Sequence, residues 1–134
     1  MAKKKATRSI PFDFVFDELE GLNVHTKQMF GTHAIYIDDK IICALREKGT
    51  SIEDNGVWLA TTVEHHNSLK KILPNIRSIK MFGTQESGWQ VLPVDADDFE
   101  ESVLKVCALV RKKDVRIGKV PKSKKKKAKS RTSL

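Results

Sequence analysis

The chain has 134 residues, 40% hydrophobic and 31% charged, which suits one domain with its own core and leaves little room for a second. No apolar run approaches transmembrane length, and Pro11, Asp13, Asp17 and Glu18 interrupt the stretch after Met1-Ala2-Lys3-Lys4-Lys5 where a secretory signal would be apolar; a cytoplasmic location with no membrane partner is expected. The formal charge of +8 sits at the ends: residues 1–8 hold four basic groups and no acid, residues 111–134 hold twelve and one, and residues 9–110 hold 9 basic groups against 16 acidic ones.

Residues 1–8 lack apolar periodicity and are expected to form a basic disordered arm. Phe12, Val15, Phe16 and Leu19 then fall on one helical face, with Ser9 as a cap, Pro11 in the first turn and Gly21 as the stop. Lys27 to Arg46 reads as two strands. Met29 to Ile37 alternates about a bulge at Gly31, Asp38-Asp39-Lys40 turns the chain, and Ile41 to Leu45 returns. A polar loop from Lys48 closes at Asn55-Gly56, a strong turn signal, before a third strand from Val57 to Thr61.

A second helix starts at Thr62 or Glu64, carries Val63, Leu69, Ile72, Leu73 and Ile76 as its apolar set, and stops at Pro74-Asn75. A second Met-Phe-Gly-Thr, residues 81–84, repeats the one at Met29-Phe30-Gly31-Thr32. Gln85-Glu86-Ser87-Gly88 turns, and Trp89 to Leu92 forms the next strand. Phe99, Val103, Val106, Cys107 and Val110 mark the last helix, widened by Leu104 and Leu109, with Asp97 and Glu100 at capping-box spacing. From Lys119 onward the composition cannot offset the entropy of ordering, so residues 119–134 are expected to be a lysine-rich disordered tail. The folded unit is then residues 9–118, in the order α-β-β-β-α-β-β-α. That is an α+β domain: a mostly antiparallel sheet with helices on one face.

Two segments give this order a family likeness. Lys27-Gln28-Met29-Phe30-Gly31 followed by Ile35-Tyr36-Ile37-Asp38-Asp39-Lys40-Ile41 resembles the opening hairpin of the TfoX N-terminal domain family. Trp89-Gln90-Val91-Leu92-Pro93, the acids after it and a helix ending Leu109-Val110-Arg111 resemble that family's closing strand and helix. Thr32, His33 and Ala34 stand where the family usually carries glycines, and Ala60 where it tends to carry lysine. The resemblance covers roughly residues 12–113 in element order. It implies the α+β fold, a regulatory role, and no catalytic residues to carry over.

The chemistry-bearing residues are few. The repeated tetrapeptide is read as two strand entries built from the same core-filling residues, because a true repeat would span a whole supersecondary unit. His65-His66 are adjacent and diverge by about 100° on a helix, so with His33 and Cys43 they make a poor zinc set. His33 and Cys43 as a base and nucleophile lack a third group to orient them. Asp95, Asp97, Asp98, Glu100 and Glu101 suit the dipole at a helix start. Cys43 and Cys107 lie in apolar patterns and are expected to be reduced and buried.

No catalytic, cofactor or metal site is therefore expected, and the chain reads as a non-enzymatic regulatory or protein-interaction module with an unidentified protein partner. The alternative is a nucleic-acid-associated protein. Its tail residues Lys122, Lys124, Lys125, Lys126, Lys127, Lys129 and Arg131 would bind DNA or RNA phosphates non-specifically, with no interleaved aromatic residue to stack on bases. The sequence does not set the oligomeric state.

Overall fold

The computed structural model describes residues 10–29, 31–80 and 88–120. Among them, three helices lie on one face of a six-stranded antiparallel sheet, the α+β architecture expected from the pattern. The elements are α1 (Phe14–Glu18), β1 (Val24–Met29), β2 (Thr32–Ile37), β3 (Lys40–Arg46), β4 (Gly56–Leu59), α2 (His66–Ile72), β5 (Arg77–Ser78), β6 (Gln90–Pro93) and α3 (Phe99–Arg111). Spatial order across the sheet is β1-β2-β3-β4-β6-β5. The basic arm, the second Met-Phe-Gly-Thr and the tail cations Lys122 to Arg131 lie outside the described residues.

The main core fills the space between sheet and helices. Ile35, Cys43, Leu45, Val57, Leu59 and Leu92 project from the strands, and Val15, Leu19, Leu69, Leu73, Val103 and Val106 meet them from the helices. Ile42 is the extra residue of a bulge, since Ile35 pairs with Cys43 but Tyr36 with Ile41, so Ile42 and Cys43 both enter this core. The other sheet face carries small residues, Ala34, Ala44 and Ala60, around the fully buried Trp58. Trp89 leans on Trp58 with ring centroids 5.8 Å apart, beside Ile79 and Val91. β3, β4 and β6 are thus central strands buried on both faces.

Several sequence expectations are revised. The first helix begins two residues later than Phe12, which sits in a turn at φ 56° and places its ring 5.2 Å from that of Phe99. Gly21, at φ 92°, follows the helix end as expected. Asn55-Gly56 is not a turn: Asn55 is extended and Gly56 opens β4. A single 3-10 turn, Val63–His65, precedes α2, which leaves Val63 exposed while Leu69, Leu73 and Ile76 are buried. Leu104 is 43% exposed on α3 and does not widen the core face. Asp98, not Asp97, precedes α3, and no side-chain cap forms there. The chain also stays in register past the expected tail boundary. Gly118 N–H bonds the Ala60 carbonyl at 2.7 Å, and Lys119 exchanges two 2.9 Å backbone bonds with Ile41.

The largest revision concerns the first hairpin. Residues 27–29 do not continue into β2; they end a separate strand. Met29 pairs with Thr32 across a tight turn holding Gly31 at φ 74°, and β1 runs antiparallel to β2 from Val24. The first Met-Phe-Gly-Thr is therefore a hairpin connection and not a bulged strand entry. Its Thr32 hydroxyl donates to the Met29 carbonyl at 2.5 Å, closing the turn.

Candidate functional site at the sheet edge

Among the described residues β1 is an edge strand, paired with β2 alone. His25, Thr26, Lys27 and Gln28 are exposed, and only the terminal Val24 and Met29 are half-buried. The Asp38 N–H bonds the Asn23 carbonyl, which fixes the parity of the ladder. His25–Tyr36, Lys27–Ala34 and Met29–Thr32 are then the hydrogen-bonded pairs, and Thr26 and Gln28 point their N–H and C=O groups away from the sheet. Natural sheets commonly shield such an edge with proline, a bulge or a cover. β1 has no proline and its register with β2 is unbroken, and Lys27 is the edge-guarding charge that it carries.

Two side chains of β1 pack along its neighbour β2. The His25 ring stacks on Tyr36 at 5.5 Å, and its Nε2 contacts the Asp38 carbonyl oxygen at 2.9 Å. The Lys27 ammonium lies over the same ring, 5.8 Å from its centre. At the hairpin end of β1 opens a pocket of about 290 Å³. Gln28, His33, Glu47 and Lys48 supply an amide, an imidazole, a carboxylate and an ammonium to its wall, with Pro11 and Leu45 also lining it. Lys48 lies across Gly31: a Cβ added there would sit 3.3 Å from its Nζ. The arrangement offers main-chain pairing along β1 and a polar receptacle at one end.

The residues singled out by sequence do not converge. Ile35 stands opposite Cys43 in the ladder, and His33 stands opposite Leu45. Cys43 is buried and its thiol is pushed far above its usual range by desolvation first and by Cys107 second. Burial likewise pushes Cys107 up to about 12, which disfavours the reactive thiolate form. His66 Nε2 contacts the Gly88 carbonyl oxygen at 3.0 Å, whereas His65 lies 3.4 Å from the Glu64 carboxylate. Among the described residues no cluster of three metal-capable side chains forms. Within the acidic group, Asp98 accepts from Asn75 at 2.8 Å and from Ser102 at 3.1 Å; chiefly the Asn75 bond holds its carboxyl below the usual range.

Two buried charges have a structural task. Arg46, 2% exposed, donates to the carbonyls of Thr50 and Ser51 and to Asn55 Oδ1, knitting the loop between β3 and β4. Asp54 accepts from the Lys80 N–H and from Arg77 at 3.2 Å, tying that loop to the chain after β5. These bonds hold both groups within the fold, although the buried Arg46 Nε has no hydrogen-bond partner among the described residues.

No family model, curated protein or solved structure matches the chain. The site therefore rests on its geometry. Sequence reasoning missed β1 for a physical reason: a strand exposed on both faces has no apolar alternation, and Val24-His25-Thr26-Lys27-Gln28-Met29 shows none. The one available signal was the spacing of two turn points, Gly31 and Asp38-Asp39, on either side of a strand-length segment.

Proposed function

We propose that the chain is a non-enzymatic, regulatory protein-interaction module that receives an extended polypeptide segment along β1. The observation that carries this reading is the edge position of β1, where Thr26 and Gln28 turn their main-chain donors and acceptors away from β2 and, among the described residues, no further strand pairs with them. Strand addition takes its affinity from such main-chain bonds and its selectivity from neighbouring pockets. The polar pocket beside Gln28 is placed for that second task. A regulatory role is what the resemblance of residues 27–41 to the TfoX N-terminal domain family implies, and two buried free thiols suit the cytoplasm.

Peptides selected from a displayed random library against the full chain test the proposal. Gln28→Pro removes an outward N–H without breaking the β1–β2 ladder, because Gln28 donates away from β2. The selected peptides should lose at least tenfold in affinity for Gln28→Pro while its melting temperature stays within a few degrees. Unchanged affinity would exclude β1 as the receiving edge.

A second reading has its own support. The body between residues 9 and 110 is acidic, and the tail leaves it at a fixed point, the Ile41–Lys119 bridge. We propose that Lys122, Lys124, Lys125, Lys126, Lys127, Lys129 and Arg131 contact nucleic-acid phosphate without sequence preference. Replacing these seven with glutamine should abolish binding to a random-sequence duplex. Retention would reject the reading.

A further inference from the structure

A second pocket of about 290 Å³ lies between the β2–β3 turn and the chain that follows α3. Its floor is aliphatic: Ile37 and Ile42 from the sheet, Val110 from α3, and Ile117 from the return segment. Its rim is charged, with Asp38, Asp39 and Lys40 on one side and Lys113 and Asp114 on the other. The three carboxylates each have a partner, and that of Asp114 is the Arg116 cation. Asp38 accepts from Asn23 at 3.1 Å, Asp114 accepts from Arg116 at 2.9 and 2.8 Å, and Asp39 has a partner as well. Among the described residues the Lys40 and Lys113 ammoniums have neither an ion pair nor a hydrogen bond. The Lys40 stem is fixed beside Gly118, where an added Cβ would lie 3.3 Å from its Cδ.

Lys113 breaks a local rule at this place. The end of α3 is a Schellman motif: the Lys113 N–H bonds the Val110 carbonyl at 2.9 Å and the Asp114 N–H bonds that of Leu109 at 3.0 Å. The motif needs a left-handed residue after the cap, and here it is a lysine at φ 60°. Glycine is the usual occupant, and a side chain there costs about 1 kcal/mol. The lysine thus destabilises the helix end while setting a cation beside a pocket lined by aliphatic side chains. Local rules tend to fail at functional positions.

We propose that this pocket binds a small organic acid with an aliphatic or aromatic body, its carboxylate paired with Lys40 and Lys113. At roughly 30 Å³ per non-hydrogen group, the volume suits a ligand of about ten such atoms. The apolar body would replace water over the four aliphatic side chains, and the carboxylate would meet the two lysine ammoniums. This reading stands independently of strand addition at β1.

The test is a titration of the full ¹⁵N-labelled chain with octanoate, octanol and octylamine, followed through amide shifts. Octanoate should move the amides of Ile37 to Ile42 and Val110 to Ile117, and bind at least tenfold tighter than either other probe. Lys113→Gly should raise the melting temperature and weaken octanoate at least tenfold. Lys113→Gln keeps the strained backbone and the stem, so it should weaken octanoate equally with no gain in stability. The proposal is overturned if octanoate leaves those amides unmoved, if octylamine or octanol binds as tightly, or if both variants retain wild-type affinity for octanoate.

Discussion

Of the described glycines, Gly56 leaves the least room for a side chain. It sits at φ 142°, and a Cβ built on it would lie 2.0 Å from the Leu92 carbonyl oxygen, within the β4–β6 pairing. Backbone cannot yield as a flexible side chain can, so Gly56→Ala should cost about 3 kcal/mol, read by urea unfolding. Asp114 gives a pH-dependent counterpart. Its bonds from Arg116, side chain first, hold its carboxyl at about 2 against a usual 3.8. A depressed carboxylate contributes stability above its unfolded value and loses it as pH falls through the folded one. Asp114→Asn should therefore be less stable than the parent at pH 7 by roughly 1 kcal/mol or less, since the pair is partly exposed. The two melting curves should converge as pH drops from about 4 to about 2. A constant gap across that interval would show that the ion pair is not the source.

Among the elements, legibility follows burial. β3, β4 and β6 are apolar runs bounded by turn residues, and α3 has a clean helical stripe, so pattern alone locates them. The pattern reveals α1 but misplaces its start, because Phe12 packs on the core from a turn and mimics a helical position. Asn55-Gly56 has the composition of a hairpin turn, yet tertiary bonds from Arg46 and Lys48 to the Asn55 side chain hold it extended. β1 has no pattern to read. Its place is set by the turn at Gly31 and by the ladder with β2, and the candidate site at its edge is illegible for the same reason. The second pocket is also a product of tertiary packing, joining Ile37 to Ile117 across the length of the domain. Only the departure from glycine at Lys113 is visible in principle, and it becomes meaningful once α3 is known to end there.

At the scale of the whole molecule, charge and fold are separated. The acidic body closes on itself through the Gly118–Ala60 and Lys119–Ile41 bonds, and the basic tail starts just beyond. Truncation at residue 113 would remove Ile117, which is 2% exposed and part of the main core. Charge replacement in the full chain is therefore the sounder comparison. If all seven tail cations contact duplex phosphate, log affinity should fall by about 6 for each tenfold rise in salt. The glutamine-substituted chain should show a slope near zero. Equal slopes would place the contacts outside these seven cations.

The open edge of β1 is tested most directly by residue-resolved hydrogen exchange on the full chain, free and with a selected peptide bound. The His25 and Lys27 amides, bonded into the ladder, should exchange slowly in both states. The Thr26 and Gln28 amides should exchange fast in the free chain and become protected with the peptide. Protection of Thr26 and Gln28 in the free chain, or peptide-induced protection confined to other strands, would contradict strand addition at this edge.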